Sequence, residues 1–288
     1  MDYDGQIIRP PSEAQSIILQ VTVGCSHNKC TFCGAYKEKL FSIKNAATIK
    51  KDLNFAATFC ARQKRIFLAD GDALIVPFHR LEKLFVVIRE KLPWVTRISL
   101  YASARSIRSK TEAELQRLKE LGLDRVYLGL ESGNDEILAS VKKGETASTM
   151  IAAAEKIRTV GLFLSVTALL GLGQVILSEA HALDTSRVLN QMKPRQIGIL
   201  TLMPLDNTEL GQHVLQGDFI LPTPEELLRE LRLILYHLNC TTQIHANHAS
   251  NYVPVTGRLP RDKAKLLHEI DEALHGNRKM VPEMLRSL

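Results

Sequence analysis

Six short apolar runs alternate with longer amphipathic stretches from residue 15 to about residue 250, and no other sequence feature constrains the fold as strongly. The runs are the candidate strands Ser16 to Val23, Arg65 to Asp70, Thr96 to Ala102, Arg125 to Glu131, Phe163 to Leu170 and Gln196 to Met203. Because the runs are apolar on both faces, they are typical of parallel strands covered by helices on each side. The pattern therefore predicts repeated strand–helix units in a barrel or a doubly wound sheet.

Helical periodicity fills the intervals between these strands. The predicted helices are Ala46 to Cys60, His79 to Lys91, Thr111 to Leu121, Asp135 to Val141, Ala147 to Val160 and Ser178 to Gln191. The clearest start signal is at Thr111, which can cap its helix while Glu114 reaches back to the backbone of Thr111. Beyond these lie the helices Glu225 to Asn239 and Pro260 to Leu274.

The domain organisation follows from the same pattern. No internal repeat, low-complexity tract or linker divides the 288 residues. We therefore expect a single domain over residues 1–288, with a core of about residues 15–205 and a helical C-terminal extension of about residues 206–288.

Composition limits the classes of partner. The net charge of +6 permits contact with nucleic acid or anionic substrates, but the basic residues are scattered rather than massed. No stretch approaches the ~20 apolar residues of a membrane span. The first 15 residues carry acidic residues and two prolines where a signal peptide needs a basic and then an apolar run. We expect a cytoplasmic protein without membrane contact, in which thiols stay reduced.

Three of the five cysteines, Cys25, Cys30 and Cys33, fall within nine residues directly after the first predicted strand. Parallel α/β folds place their active sites on such loops. Three thiolates on one loop can hold an iron–sulfur cluster or a zinc ion. Structural zinc normally takes four protein ligands, and the nearest fourth candidate, His27, is squeezed between Cys25 and Cys30. A [4Fe-4S] cluster on three cysteines would leave one iron open for chemistry.

The segment from Cys25 to Cys33, CSHNKCTFC, resembles the cluster loop of the radical S-adenosylmethionine (SAM) superfamily, whose usual spacing is C-x3-C-x2-C. Here the first gap is four residues. Phe32 matches the aromatic position before the last cysteine. The later segments FLADGDAL, YLGLESG and NHASN are similar to a group of the superfamily related to the Elp3 and MiaB enzymes and to oxygen-independent coproporphyrinogen oxidase. The resemblance covers roughly 200 of the 288 residues.

This resemblance implies a partial (β/α)6 TIM-like barrel with a C-terminal extension. It also implies an oxygen-sensitive [4Fe-4S] cluster on Cys25, Cys30 and Cys33, with SAM bound at the open iron. Such enzymes reductively cleave SAM to methionine and a 5′-deoxyadenosyl radical, which abstracts hydrogen from a substrate. We expect an external electron donor such as flavodoxin or ferredoxin, and a small-molecule substrate whose identity the sequence leaves open.

The resemblance also assigns SAM contacts to the ends of the second and third predicted strands. Gly71 and Asp72 stand where the family meets the SAM amino group, with Asp70 as an alternative anion. Glycine lets the backbone approach the ligand closely, and a carboxylate suits an ammonium. Ser103 and Arg105 stand where the family places residues near the SAM carboxylate.

Further SAM contacts are implied along the chain. Glu131, at the end of the fourth predicted strand, would accept hydrogen bonds from the ribose hydroxyls. Lys143 would face the SAM carboxylate, with Lys142 as its rival. Met203 belongs to the apolar segment that would lie against adenine, and Phe32 is expected at the cofactor site because of its place in the cysteine loop.

Two other functions stay open on the sequence alone. One is a metal or iron–sulfur redox protein that does not use SAM. The other is a radical SAM enzyme that modifies RNA, which only the +6 charge supports. The polar segment His245 to Tyr252 is either a substrate contact or a turn network, and Cys240 is either a reactive thiol or a small buried residue. Cys60 is expected to be packing.

Overall fold

The structure is a computed structural model that describes residues 1–287. Over this range the chain forms ten strands: β1 Ile17–Gln20, β2 Thr22–Val23, β3 Ser42–Ile43, β4 Arg65–Ala69, β5 Arg97–Ala102, β6 Leu123–Glu131, β7 Phe163–Leu170, β8 Gln196–Thr201, β9 Thr242–Ala246 and β10 Val255–Leu259. The same residues form ten α-helices: α1 Ala46–Phe59, α2 Phe78–Lys91, α3 Ala104–Arg108, α4 Glu112–Glu120, α5 Asp135–Ser140, α6 Ala147–Thr159, α7 Ser178–Met192, α8 Glu209–Gln216, α9 Pro224–His237 and α10 Lys263–Leu274.

The chain divides into two compact units. The first unit comprises Met1–Asn28, Ala35–Leu128 and Glu155–Leu164. The second unit comprises Lys29–Gly34, Gly129–Ala154 and the chain from Ser165 onward.

Parallel strands organise the first unit. They lie in the order β1, β4, β5 and β6, and every adjacent pair is parallel. The register places Leu68 beside Leu19 on one side and beside Leu100 on the other. Because the carboxyl ends of parallel strands meet at one edge of a sheet, the segments after β1, β4 and β5 lie at the same edge. The short strands β2 and β3 form a separate antiparallel pair.

The strands of the first unit are buried on both faces, as the sequence predicts. Ile66 and Leu68 alternate along β4 with Phe67, and all three side chains are fully buried. Phe67, Tyr101 and Tyr127 form an aromatic cluster with ring centroids 5.1 to 6.0 Å apart. Side chains on opposite faces of one strand therefore both contribute to the core.

The second unit continues the α/β pattern. Its strands lie in the order β7, β8, β9 and β10, with β10 antiparallel to β9. The C-terminal extension over residues 206–288 was expected to be helical, but besides α8, α9 and α10 it contains β9 and β10. The polar residues Gln243 and His245 obscure β9 in the sequence. They alternate with the buried residues Thr242, Ile244 and Ala246, which is the period of a strand.

Helix caps account for several element boundaries. The cap predicted at Thr111 is confirmed: its hydroxyl accepts from the Glu114 N–H at 3.1 Å, and the Glu114 carboxylate accepts from the Thr111 N–H at 2.7 Å. A second capping box was not predicted. It joins Ser103 and Ser106 and begins the short helix α3 directly after β5.

The expected α/β class is confirmed. The bounds of β7 agree with the prediction, and most other strands and helices begin or end within a few residues of their predicted bounds. Among the described residues, no helix combines the length and apolar character needed to cross a membrane.

Candidate functional site

Cys25 follows β2 in the first unit and is half-buried. The backbone that follows β4 lies directly against it. The Gly71 N–H donates to the carbonyl of Gly24 at 3.2 Å, and a Cβ on Gly71 would lie 3.0 Å from Cys25 Cβ and 2.9 Å from the Tyr36 ring. Only glycine allows so close an approach without displacing its neighbours. Gly71 therefore belongs to the wall around Cys25.

Asp70 is fully buried beside this wall. Its Oδ2 accepts from the Gln20 amide at 2.8 Å and from the Gly24 N–H at 3.2 Å. Burial raises the pKa of Asp70, although the bonds from Gln20 and Gly24 and the charges of nearby lysines oppose the shift. Its Oδ1 is buried without a hydrogen-bond partner among the described residues. A buried acceptor left open in this way is costly unless a ligand supplies a donor.

Asp72, also fully buried, joins three segments of the first unit. Its Oδ2 accepts from the Ser26 hydroxyl at 2.7 Å and from the Ser103 hydroxyl at 2.8 Å. Its Oδ1 accepts from the Ser103 N–H at 3.2 Å. The carboxylate thus ties the cysteine loop to the ends of β4 and β5. The sequence analysis singled out Asp72 and Ser103 but missed Ser26.

The cations near the end of β5 differ in their exposure. Arg105 is exposed on α3, whereas Lys110 is buried. Burial lowers the pKa of Lys110, and the charges of Glu114 and Asp72 oppose that shift. The structure therefore places a buried cation, Lys110, in the field of Asp72. Sequence reasoning missed Lys110 because it stands directly before a strong helix start and reads as part of that turn.

The second unit contains the rest of the cysteine loop. Cys30 and Cys33 are half-buried. Between them, the Thr31 N–H donates to the Val141 carbonyl at 3.0 Å, and the Thr31 carbonyl accepts from the Leu210 N–H at 2.9 Å. These two backbone bonds fix the loop from both sides.

Phe32 packs against an apolar cluster of the second unit that includes Val141, Leu169 and Leu202. The ring is thereby anchored among side chains from β7 and from the segments after α5 and β8. Met203, next to Leu202, is half-buried in the segment after β8. Phe32 and Met203 are the two apolar residues that the resemblance assigns to the cofactor site.

Glu131 ends β6 with a left-handed backbone, at φ +65°. Its Oε1 lies 3.0 Å from Lys143 Nζ, and the two side chains are only 13% and 16% exposed. Lys142 instead pairs with Glu209 at 2.7 Å and is far more exposed. Of the two candidate lysines, the structure therefore brings Lys143 to Glu131. A Cβ on Gly129 would collide with the Glu131 carboxylate and lie 3.1 Å from Lys143 Nζ, so glycine leaves room for this pair.

The polar segment from His245 to Tyr252 begins in β9 and continues into a turn that is hydrogen-bonded to β8. Asn251 donates to the Ile199 carbonyl at 2.7 Å and accepts from the Thr201 hydroxyl at 2.8 Å. The Ser250 hydroxyl accepts from the Thr201 N–H at 3.1 Å. Cys240 is buried, and burial raises the pKa of its thiol. Ser250 and Asn251, which belong to the segment considered as a substrate contact, therefore bind the backbone of β8 and its Thr201 side chain.

The donor chemistry of the loop fits an iron–sulfur cluster. Thiolates are the ligands that such clusters take, and Gly71 lets the backbone after β4 pack closely against Cys25 and Tyr36. In residues 1–287, no three His, Cys, Asp or Glu side chains are gathered as ligands of one metal ion. A cluster makes a different demand from a single ion, because each thiolate binds its own iron.

Comparison with known proteins agrees with this chemistry. The family model of the radical SAM superfamily matches residues 19–183, which is more than half of the chain. No match is found among curated protein sequences.

Solved structures with a similar fold include three proteins, of which one, HemN, is described as a radical SAM enzyme. Methylornithine synthase (PylB) aligns at 15% identity and a TM-score of 0.57, over 88% of this chain and 68% of its own. Coproporphyrinogen III oxidase (HemN) from Escherichia coli aligns at 18% identity and a TM-score of 0.57, over 77% of this chain and 52% of its own. Elp3 from Methanocaldococcus infernus aligns at 14% identity and a TM-score of 0.55, over 92% and 64%.

At these low sequence identities, the structural similarity shows a common fold and no more. The fold is the expected partial (β/α)6 barrel. The chain spans about half the length of HemN and 39% of the cobalamin-dependent methyltransferase TsrM from Kitasatospora setae, whose structure contains a [4Fe-4S] cluster. Members of this superfamily carry such clusters and use SAM. The match over residues 19–183 shows that the chain is an enzyme of the radical SAM superfamily.

Proposed function

We propose that this enzyme reductively cleaves SAM at a [4Fe-4S] cluster and uses the resulting radical to abstract hydrogen from a small-molecule substrate. The observation that carries the proposal is the buried carboxylate of Asp72, which accepts hydrogen bonds from the cysteine loop through Ser26 and from the end of β5 through Ser103. When bound, the cluster supplies the electron that breaks the bond between sulfur and C5′ of SAM, giving methionine and a 5′-deoxyadenosyl radical.

Cys25, Cys30 and Cys33 are the proposed cluster ligands. Three cysteines would leave one iron of the cluster without a protein ligand, and SAM would bind there through its amino and carboxylate groups. Gly71 supports this assignment because, lacking a side chain, it lets the backbone after β4 pack against the Cys25 part of the loop. An external electron donor such as flavodoxin or ferredoxin is the proposed source of the electron.

Asp72 is the proposed acceptor for the SAM amino group. Its Oδ2 already accepts two hydroxyl protons, and its Oδ1 accepts one backbone N–H. Since each carboxylate oxygen has two lone pairs, Oδ1 can accept one more hydrogen bond, from an N–H of the SAM amino group. Ser26 and Ser103 orient the carboxylate for this contact. Arg105 remains a proposed carboxylate contact from the surface of α3.

Glu131 and Lys143 are the proposed contacts for the ribose and the carboxylate of SAM. A carboxylate can accept from two neighbouring hydroxyls at once. The ion pair with Lys143 at 3.0 Å holds the Glu131 carboxylate in a fixed direction. Phe32 and Met203 are proposed apolar neighbours of the cofactors.

Anaerobic reconstitution with iron and sulfide, followed by dithionite and SAM, tests the proposal. We expect the reconstituted protein to form 5′-deoxyadenosine and methionine. A sample loaded with a cluster that forms no 5′-deoxyadenosine would refute SAM cleavage. Zinc in place of iron in anaerobically purified protein would instead favour a metal protein that does not use SAM.

A matched pair of cysteine variants separates ligation from general thiol effects. We expect Cys30→Ser to lose bound iron, the visible absorption of the cluster and 5′-deoxyadenosine formation. Cys60→Ser should keep all three, because Cys60 ends α1 and lies outside the cysteine loop. Equal iron loss in both variants would contradict the ligand assignment.

A further inference from the structure

His181 lies on α7 with its side chain fully buried, and both ring nitrogens have neighbours within the second unit. Nδ1 is 2.8 Å from the Ser132 hydroxyl and 3.4 Å from the Thr185 hydroxyl. Nε2 is 3.2 Å from the Leu169 carbonyl and 3.5 Å from Oε1 of Glu230. A histidine with this many fixed neighbours can adopt few protonation states.

The neighbours of Nε2 determine where the proton lies. The carbonyl of Leu169 can only accept, so Nε2 must carry a hydrogen. Both oxygens of Glu230 accept elsewhere: Oε1 from the Gly171 N–H at 2.8 Å and Oε2 from the Ser178 hydroxyl at 2.5 Å. The carboxyl group is therefore held in place by two donors that are independent of His181.

The neighbours of Nδ1 are hydroxyls that can donate. The Ser132 hydroxyl oxygen accepts from the Asn134 N–H at 3.0 Å, which leaves its proton for Nδ1. The Thr185 hydroxyl oxygen accepts from the Gly133 N–H at 2.9 Å. All of these hydrogen bonds can form when the imidazole of His181 is neutral and carries its proton on Nε2. A second proton on Nδ1 would face the hydroxyl that donates to it.

Nδ1 faces the turn formed by residues 131–134. This turn begins with Glu131, the last residue of β6. Glu131 has a left-handed backbone, and the Ser132 N–H donates back to the Leu130 carbonyl at 2.9 Å. Left-handed φ is uncommon outside glycine, so the surrounding structure must hold it. The turn needs external support to keep Glu131 in this conformation.

Helix α7 supplies that support at three successive residues. Ser132 bonds to His181, Gly133 to Thr185, and the Asn134 amide donates to Asp184 at 2.8 Å. A Cβ on Gly133 would lie 2.6 Å from Thr185 Cα, so the turn rests directly on the helix backbone.

We infer that His181 is a positioning residue: as the neutral Nε2–H tautomer it holds Ser132, and through this turn it directs Glu131 toward the ribose of SAM. The positioning role rests on the proposed function, whereas the tautomer does not. Glu230, from α9, and Asp184, on α7, are the ionisable groups that face the ring. Burial lowers the pKa of His181 to about 4, although the Leu169 carbonyl and the charge of Asp184 oppose the shift. The neutral form therefore persists at neutral pH.

Nitrogen NMR of full-length protein labelled with 15N-histidine tests the tautomer. We expect one ring with its proton on Nε2 that does not titrate between about pH 6 and pH 8, where an ordinary histidine does. The signal is assigned to His181 if it is absent from the spectrum of the His181→Asn variant. A signal from His181 with the proton on Nδ1, or one that titrates near the ordinary pKa, would overturn the assignment.

Equilibrium dialysis of SAM against cluster-loaded, unreduced protein tests the positioning role without turnover. We expect His181→Leu to weaken SAM binding about tenfold, a change expected for a lost buried hydrogen bond. His181→Asn, whose side-chain oxygen can replace Nδ1 as acceptor, should stay within about threefold of wild type. The matched control is Ser186→Ala, because this buried serine bonds only within α7, to the Leu183 carbonyl.

Glu131→Gln separates this inference from the proposed function. If Glu131→Gln weakens SAM binding and His181→Leu does not, the positioning role is wrong while the ribose contact stands. If Glu131→Gln binds SAM like wild type, the ribose contact is wrong, and the positioning role is overturned with it. Ser132→Ala should weaken binding in wild type but add little in the His181→Leu background, since both changes remove the same bond.

Discussion

Two buried carboxylates of the first unit, Glu13 and Asp70, lie near opposite ends of its strands and have opposite electrostatic surroundings. Glu13 precedes β1 and accepts from the Ser16 hydroxyl at 2.5 Å, the Tyr127 hydroxyl at 2.7 Å and Arg97 at 3.0 Å. Burial alone would raise the pKa of Glu13, but these partners outweigh burial, and the pKa lies below its ordinary value. Asp70 follows β4, lacks a partner at Oδ1, and has a raised pKa because of burial.

The difference separates a buried carboxylate whose partners all lie within the fold from one that keeps an oxygen without a partner. At the amino ends of the strands, charge is neutralised within the chain, and both oxygens of Glu13 are used. At the carboxyl ends, a buried acceptor is left open beside the cysteine loop. Parallel α/β enzymes place their active sites at this end, and perturbed acids with incomplete partners are typical of such sites. We propose that the residues at the amino ends serve stability and that those at the carboxyl ends serve ligand binding.

The largest expected effect lies at the amino ends. Glu13→Gln should lower the free energy of unfolding by about 3 kcal/mol, because it leaves Arg97 partly buried without its counter-ion. Urea denaturation at pH 7 measures the loss. As a control, Glu90→Gln removes an exposed carboxylate on α2 and should change the free energy of unfolding by less than about 0.5 kcal/mol. The SAM affinity of folded Glu13→Gln should equal that of wild type; a large decrease would contradict the division of roles.

A smaller effect is expected at the carboxyl ends, in binding rather than stability. Asp72→Asn keeps the shape of the side chain but removes its charge, so SAM affinity should fall about tenfold, as expected for one charge-assisted hydrogen bond. Equilibrium dialysis measures the affinity. The free energy of unfolding should change by about 1 kcal/mol or less, since the Ser26 and Ser103 hydroxyls can reorient toward an amide. A large loss of stability with unchanged SAM affinity would reverse the roles of the two ends.

The smallest expected effect is in how the free energy of unfolding depends on pH through each of the two carboxylates. A lowered folded-state pKa makes Glu13 stabilising above its unfolded pKa, and this stabilisation is lost as pH falls through the folded pKa. Asp70 has the opposite sign: its raised folded-state pKa favours folding at low pH, and this advantage is lost as pH rises. Asp70→Asn should therefore match or slightly exceed wild type in stability at pH 7, and Glu13→Gln should fall below it.

Urea denaturation at several pH values measures these differences. Both stability differences should shrink at low pH. That of Asp70→Asn shrinks as pH falls through the raised folded-state pKa of Asp70, whereas that of Glu13→Gln shrinks only below the ordinary glutamate pKa, as pH falls toward the lowered folded-state pKa of Glu13. If Asp70→Asn is instead less stable than wild type at pH 7, the open Oδ1 does not impose the cost described here.

Much of the first unit could be predicted because its elements carry local signals. The apolar run of β4 and the capping box of Thr111 and Glu114 each follow from a few neighbouring residues. The sequence also predicted where the strands end, and the resemblance to the superfamily then indicated Asp72 and Ser103 at those ends. Glycine at position 71 was expected to permit close approach, but the sequence did not identify Tyr36 as its neighbour.

Other parts of the site depend on contacts between distant residues. Ser26 is one hydroxyl in a polar loop until folding brings it 2.7 Å from Asp72, 46 positions away. His181 lies 49 positions from Ser132, and on an amphipathic helix it reads as an ordinary polar residue. The choice between Lys142 and Lys143 depends on how the chain turns after α5. Such pairings have no local signature, so the structure is needed to find them.

The two hydrogen bonds of the Ser103 hydroxyl limit which amino acids can occupy position 103. Its hydroxyl accepts from the Ser106 N–H at 3.0 Å, as a helix cap, and also donates to Asp72 at 2.8 Å. Aspartate caps helices about as well as serine, but here it would set a second negative charge against Asp72 and could not donate while ionised. Selection for function from a library randomised at this codon should recover serine and threonine and reject aspartate, unlike selection at an ordinary helix cap.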